Sequence, residues 1–408
     1  MTSFIRTTHF QDFCERPVLR GAVQIYLAVA SVYTVLRYLM QVRLGGQVWT
    51  TGDWLISYRA GFIRRGLTGS ITYGLTDLTG IPALYVAAAT QILIFGALIA
   101  AVLFMIRHIK MSVPVAILAM SPVFLLMPFF ILKLAMTKEM IGFLAVALVG
   151  LTAFTRRRWP FWVGILMFAA AGFAHEINAF LAPDLLALLL VLTLAGVIPR
   201  RQAVLAAGIV GVTAGAAILG AMVFSGQGLG DAVCKVMLSY GGITDFCGDN
   251  GPTVWLDRDM AYGMHFTWVE NVVKGVWPWF TLGFVLSVAP FALFRVTGDA
   301  SGRKTRLALL AAVAGILAFT PLFVVASDWG RWIQMHVFCL TIVTFVSLRL
   351  GLLTERFENL SPAFLAIGLV WAMPDYGEPL NAGFLQKAVS LVEHAELFLG
   401  DKSDEPDA

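Results

Sequence analysis

The residues best suited to chemistry crowd into one polar stretch, Thr51–Gly80, which reads TGDWLISYRAGFIRRGLTGSITYGLTDLTG. Asp53, Arg59, Arg64 and Arg65 stand there among Trp54, Tyr58, Phe62 and Tyr73. A carboxylate beside several guanidiniums suits a base working next to a bound phosphate. Arginine forks match phosphate oxygens, and aromatic side chains seat such a segment at a membrane surface. The plainer reading is a connecting loop with a surface helix.

Further along the chain, ionisable residues recur in pairs. Lys138 and Glu139 lie in AMTKEM, His175 and Glu176 in FAHEINAF, and Asp328 and Arg331 in ASDWGRW. Ionisable groups close to apolar spans are costly, so each pair is a candidate for function. Each also has a structural reading. Glu139 at a helix start would meet the positive end of the helix dipole. His175 would be a satisfied interfacial histidine, although Glu176 and Asn178 beside it favour a site. Asp328 and Arg331, at i and i+3, would pair with each other, with Trp329 and Trp332 as belt aromatics. Asp184 follows Pro183 inside an apolar run, where a carboxyl must be neutral, paired or turned to a wet cavity. The cavity-facing reading is preferred for it.

The elements that must hold these residues are membrane spans. The 408-residue chain is 59% hydrophobic and 13% charged, with a mean hydropathy of +0.80. A soluble core needs nothing so apolar. Runs long enough to cross a bilayer as helices number about eleven. They fall at 22–42, 81–106, 112–132, 139–155, 159–174, 177–198, 202–224, 276–296, 307–326, 333–349 and 360–373. The expected fold is therefore an all-α integral membrane protein. Residues 1–21 form a cytosolic segment, 22–373 the polytopic domain, and 374–408 an outer amphipathic piece with an acidic tail. The stretch before the first span is too long and too acidic for a signal peptide.

Lysine and arginine set the expected orientation. With the N-terminus inside, the basic turns at 107–110, 156–158, 200–201, 295–306 and 349–356 all fall inside. The inner side then carries 16 basic and 5 acidic residues and the outer side 13 and 19; with Asp184 between them the sum is the overall +4. The four polar clusters all fall outside. Two outer segments are long, 43–80 and 225–275, and the second suits a lid or binding loop. Cys234 and Cys247 both lie in it; a disulfide in an oxidising periplasm and two free thiols are both open readings.

Other chemistries fit less well. The chain has no HExxH, no CxxC and no histidine cluster to hold zinc. It has no P-loop, no GxGxxG opening a helix after a strand, and no GxSxG elbow. Its inner basic residues form no interleaved surface for reading nucleic acid.

The segment DWLISYRAGFIRRGLTGSITY resembles the D-[FW]-x-x-Y-x-A…G…Y stretch of mannosyltransferase-like GT-C glycosyltransferases, with three residues in place of two between Trp54 and Tyr58. The match, with the span layout, covers about a quarter of the chain. Enzymes of that class use polyprenyl-phosphate-linked sugars outside the membrane, and their first outer loop carries an acidic residue followed by an interfacial helix. The resemblance implies Asp53 as the base that deprotonates the acceptor hydroxyl. It implies Arg59, Arg64, Arg65 and Arg331 as holders of the carrier phosphate, with Tyr58, Lys138 and Asp328 at the substrate. The family's second acidic motif is not plain here, so Glu139 or Glu176 would have to fill that role. A divalent metal near Asp53 is left open. The implied setting is a bacterial inner membrane with a periplasmic site, a lipid-linked sugar donor, and a glycan or lipid acceptor for the cell envelope.

A rival resemblance is to bacterial polysaccharide polymerases and O-antigen ligases, which seat a lipid diphosphate on outer arginines. It would draw on Arg64, Arg65, the 225–275 loop, the DWGR motif and His175, the last as the base. A transporter or flippase of a lipid-linked or anionic substrate is the reading from another class. It calls for charges at mid-span and on both sides of a path, and Asp184 alone approaches that.

Overall fold

The computed structural model describes residues 17–127, 135–224, 228–242, 244–248, 251–297, 302–356, 361–373 and 381–382. Most of the expected terminal segments 1–21 and 374–408 lies outside these residues. The described chain is almost entirely helix, as an apolar sequence must be where no water serves its backbone. In order the helices are α1 (Pro17–Arg43), α2 (Leu67–Thr79), α3 (Ala83–His108), α4 (Val113–Ala119), α5 (Glu139–Thr155), α6 (Trp159–Ala174), α7 (Ala182–Leu194) and α8 (Arg200–Val223). They continue as α9 (Leu229–Ser239), a single helical turn at Val254–Asp257, α10 (Met260–Thr267), α11 (Trp277–Val288), α12 (Gly302–Ala314), α13 (Thr320–Val325), α14 (Trp329–Arg349) and α15 (Ser361–Val370). Two small antiparallel ribbons complete it, β1 (Phe294–Val296) with β2 (Leu353–Glu355), and β3 (Trp371–Ala372) with β4 (Asn381–Ala382).

The protein is an all-α membrane protein, but eleven full-length spans are not what the described residues contain. Five helices are long and apolar enough to cross a bilayer, or six if the bent pair Met260–Val273 and Trp277–Leu293 is one span. Expected spans 139–155 and 159–174 coincide with α5 and α6, which are apolar but shorter. Of expected span 112–132, residues 128–132 lie outside the described ones, and the rest holds the seven-residue α4, which ends before Ser121–Pro122. Expected span 307–326 is broken by a 3₁₀ turn at Gly315–Phe319 and by Pro321 at the start of α13. Proline opens a helix readily but cannot sit inside one without loss of a hydrogen bond. The long 225–275 segment is also largely helical.

α5 and α14 are buried along almost their whole length and form the centre of the bundle, while α1 and α8 leave wide apolar faces exposed. Small residues let the central helices approach. A Cβ at Gly164 of α6 would lie 2.7 Å from the carbonyl oxygen of Ala145 on α5, and one at Gly150 of α5 would lie 2.9 Å from Ile342 on α14. Such approach replaces the hydrophobic drive that lipid does not supply.

The two ends of the bundle differ in charge. Arg20 at the start of α1 donates to the carbonyl of Ile109, Arg349 at the end of α14 donates to that of His108, and β1–β2 joins Arg295 to Thr354 at the same end. The turn Arg156–Arg158 after α5 and the start of α8 at Arg200 also lie there, by helix direction. The opposite end gathers both carboxylates and cations. Its segment Val48–Ala60 runs in short π and 3₁₀ turns that pass beneath α2. Gly69 of α2 makes this possible, since a Cβ there would stand 2.2 Å from the carbonyl oxygen of Ile56.

Gly69→Ala should therefore destabilise the protein by roughly 1–3 kcal/mol through overpacking. Gly74→Ala, on the same helix with open space around it, should stabilise by about 0.5–1 kcal/mol. Thermal unfolding of the two variants in detergent checks this; equal midpoints would mean that α2 does not rest on Ile56.

Candidate functional site

Four chain segments far apart in sequence meet at the charged end. Asp53 opens a 3₁₀ turn directly after Val48–Gly52, whose first N–H groups are capped by the Gln47 side chain. Lys138 and Glu139 stand at the start of α5, His175 and Glu176 between α6 and α7, and Arg331 in the first turn of α14. A polar residue at a helix end can turn its side chain inward without disturbing the apolar body of the helix, which is why the charges sit there.

Lys138 is fully buried and lies 3.3 Å from Asp53 Oδ2. It also donates to the backbone carbonyl of Arg65 at 3.0 Å. Arg65 lies 3.7 Å from Asp53 Oδ1 and grips Glu176 with two nitrogens, at 2.8 and 3.0 Å to Oε1. Its φ of +66° is a left-handed conformation that a non-glycine residue adopts only under constraint. Here the constraint is visible at both ends of the residue, in the carbonyl held by Lys138 and the guanidinium held by Glu176. Arg64 lies 3.5 Å from Glu176 and donates to the carbonyl of Trp255. Arg331 bridges Glu139 and Asp328, the latter at 2.8 Å.

His175 is buried with Nε2 3.9 Å from Glu139 and Nδ1 3.6 Å from Glu176. Its Nδ1 accepts the N–H of Ile177 at 3.3 Å, which leaves the proton of the neutral ring on Nε2. Burial, reinforced by the Arg65 charge, lowers its pKa to about 4, against the pull of Glu176 and Glu139. Burial also lowers the Lys138 and Arg64 pKa values. Burial works against the Arg65 charge too, but Glu176 and Asp53 prevail and raise its pKa above the ordinary arginine value.

The network has a polarity of its own. Arg64, Arg65 and Lys138 outnumber Asp53 and Glu176 on one side. On the other, Glu139 and Asp328 outnumber Arg331. Asp53 Oδ1 is buried and accepts no hydrogen bond among the described residues. Its neighbours are two cations, Lys138 and Arg65, surroundings that do not suit a third. Among the described residues no group of three or more His, Cys, Asp or Glu is placed to hold a metal.

An open cleft of about 240 Å³ adjoins the cationic side. Its polar wall is Arg64, Arg65, Glu176 and Tyr58, and its apolar wall comes from the ends of α6 and α8. Tyr58 stacks on Phe62 with centroids 5.1 Å apart, and Phe62 meets Phe224 edge-on at 4.6 Å.

Of the residues singled out in the sequence, Asp53, Arg64, Arg65, Lys138, Glu139, His175, Glu176, Asp328 and Arg331 come together, and Tyr58 lines the cleft. Arg59 does not join them. Its guanidinium is held by Asp77 and Tyr240 on the exposed side of α2. Asp184 does not line the cleft. It is buried in the first turn of α7, with Oδ1 3.1 Å from His336 Nδ1, and a Cβ at Gly315 would come within 2.5 Å of it. Lys138 and Glu139 do stand at the start of α5, as the dipole reading has it, but each takes a different ionic partner, Asp53 and Arg331.

Gln91 is a positioning residue missed in the sequence, and Asn178 is one noted there only as a neighbour of His175. Gln91, buried in the middle of α3, donates to the carbonyls of Thr50 at 2.6 Å and Met136 at 2.7 Å and receives the Tyr38 hydroxyl. It thereby ties the Asp53 segment to the Lys138 turn, helped by the Trp54 indole, which also donates to Met136. Asn178 donates to the carbonyls of Lys138 and Ala171. A lone glutamine in an apolar run was the available signal for the first. Cys234 and Cys247 form a disulfide. The strapped segment lies on the same end, with Phe246 packed so close to Gly52 that a Cβ there would be 3.1 Å from its ring.

Fold and site together define an all-α membrane protein with a buried ion network beside an apolar cleft. No family model, curated protein or solved structure matches this chain.

Two outcomes are expected. Because His175 is held neutral, the unfolded chain takes up its proton first as pH falls. Stability is then full above about pH 6.5 and declines by roughly 3 kcal/mol towards pH 4. The pH dependence of the unfolding midpoint should be shallower in His175→Gln, and identical slopes would assign the titration elsewhere. Gln91→Leu should cost about 3 kcal/mol, by taking the Gln91 partner from the Thr50 carbonyl and the Tyr38 hydroxyl and leaving the Met136 carbonyl to the Trp54 indole alone. Unfolding midpoints measure it; a change under about 1 kcal/mol would remove Gln91 as the tie.

Proposed function

We propose that this protein is a membrane glycosyltransferase of the GT-C type, moving one sugar from a polyprenyl-phosphate carrier to an acceptor hydroxyl. In this reading the N-terminus is inside, about eleven segments enter the membrane, α2 lies at the interface, and the ion network faces outward. The observation that carries it is the convergence of Asp53, Lys138, Arg65 and Glu176 from separate turns. It leaves one Asp53 oxygen paired with Lys138 and the other without a hydrogen bond.

That arrangement suits the chemistry. Asp53 takes the proton of the acceptor hydroxyl, and the acceptor oxygen bonds to the anomeric carbon. The bond from that carbon to the carrier phosphate breaks, and its electron pair stays on the phosphate. Arg64, Arg65 and Lys138 offset the charge gained there. Glu139 and Glu176 are the candidates for the second acidic position, and each holds an arginine of the network. Arg59, turned away, is not needed.

Orientation has two supports. The basic turns gather at the end opposite the network, as expected for the cytoplasmic face. The disulfide lies at the network end, as expected where the surroundings are oxidising. A bacterial inner membrane, a periplasmic site and a role in envelope glycan or glycolipid synthesis follow from the reading.

Transfer of lipid-diphosphate-linked oligosaccharide units, with His175 as base, is the weaker alternative. The Nδ1 of His175 is engaged by a backbone N–H, and its Nε2 carries the proton. Transport is weaker still, because the Asp184–His336 pair is sealed in the core away from the cleft.

Asp53→Asn keeps the side-chain shape and a hydrogen bond to Lys138. In vesicles supplied with polyprenyl-phosphate sugars, assayed below its unfolding midpoint, which loss of the charge facing Lys138 lowers, it should reduce transfer by about 10²–10⁴-fold. Near-normal turnover would exclude Asp53 as the base.

A further inference from the structure

The cleft beside the network has a composition that specifies its occupant. Its charged lining is Arg64, Arg65 and Glu176, an excess of one positive charge. Arg64 Nε is buried and makes no hydrogen bond among the described residues. An anion at this wall would find a donor that the protein itself leaves unused. The opposite wall is entirely apolar and built from small residues, Gly172 on α6 and Ala216, Ala217 and Gly220 on α8. These make a trough where larger side chains would fill the space. Leu219, Val223, Phe62 and Phe224 flank it and are exposed, and the outer face of α8 is apolar along its length. A charged head at one end and a hydrocarbon flank at the other describe an amphiphile.

We propose that this cleft holds a single-chain anionic amphiphile drawn sideways from the bilayer. Its head lies on Arg64 and Arg65, and its chain runs in the trough between the ends of α6 and α8. The Phe62–Phe224 contact forms the side wall that the chain passes. One chain is specified because the trough is bounded by one helix pair, with Gly172 and Ala217 already close enough that a Cβ on Gly172 would be 3.1 Å from that of Ala217. The inference deepens the transfer reading and rests on it for the identity of the head group as a phosphate. Gly220 becomes the specificity-determining position. A Cβ at Gly220 meets nothing within 4 Å, so a larger side chain there takes up cleft space without displacing the protein.

The test is binding of dodecyl phosphate to the full-length detergent-purified chain, with dodecanol, inorganic phosphate and a two-chain phosphatidic acid as the comparison ligands. Dodecyl phosphate should bind, and Gly220→Leu and Arg64→Gln should each weaken it by about tenfold or more. The three comparison ligands should bind at least about tenfold more weakly. Unchanged binding in Gly220→Leu at an unchanged unfolding midpoint would overturn the site. Equal binding of inorganic phosphate would reduce it to an anion site, and equal binding of phosphatidic acid would overturn the single-chain assignment. Should Gly220→Leu fail to fold, a diazirine-bearing dodecyl phosphate on the unaltered protein decides. Labelling within residues 216–224 upholds the proposal, and labelling confined elsewhere overturns it. Binding with this pattern but no sugar transfer would sink the transfer reading and leave the amphiphile site standing.

Discussion

An ammonium group buried out of reach of water must be paired, and Lys138 is such a group, with none of its surface exposed. Leaving an ion unpaired in a low-dielectric interior costs far more than any single packing contact returns. Asp53 and the Arg65 carbonyl meet that demand. Asp53 in turn must be delivered to the head of α5, which fixes the path of the Val48–Ala60 segment. The same requirement passes on to Glu176 through Arg65 and to Glu139 through Arg331. Each buried charge recruits an opposite one from another turn, and the chain ends of five elements are drawn to one place.

Neutral groups keep the charges at their distances. Gln91 and the Trp54 indole converge on the carbonyl of Met136, a residue held at φ +59°. That unusual backbone would relax if its carbonyl lost these donors. Gly69 lets α2 rest on the Ile56 carbonyl, and the disulfide-strapped segment presses Phe246 against Gly52. These contacts belong to packing, yet their effect falls on the site, because Asp53 moves with the segment that they clamp.

The excess of cations on the cleft side gives the network a direction. An ion cluster closed on itself and away from the cleft would be adequate as a structural staple, and Arg331 between Glu139 and Asp328 reads that way. The side formed by Arg64, Arg65 and Lys138 is different, since its two arginines border open, apolar-walled space. A charge imbalance next to hydrocarbon is tolerable only where it meets water or an anionic partner. That contrast links the electrostatics of the buried half to the functional reading of the open half.

The sequence by itself determined that this is a helical membrane protein, since apolar runs with few charges have no other way to satisfy their backbones in lipid. It also marked nearly all of the network, because ionisable residues among such runs are few and conspicuous. Asp53, Arg65, Lys138, Glu139, His175, Glu176 and Arg331 were all legible as candidates. Helix lengths were less so: hydropathy counts apolar residues and is blind to the breaks at Ser121–Pro122, Gly315–Phe319 and Pro321. Only the tertiary structure decided who meets whom. Arg59 and Arg65 are alike in type and neighbourhood, yet one turns to Asp77 at the surface and the other inward to Glu176. Asp184 found His336, and an unmarked Gln91 became a tie. Pairing depends on how helices are arranged around the bundle, and a pairwise Coulomb contact acts over a few ångströms that sequence separation does not encode.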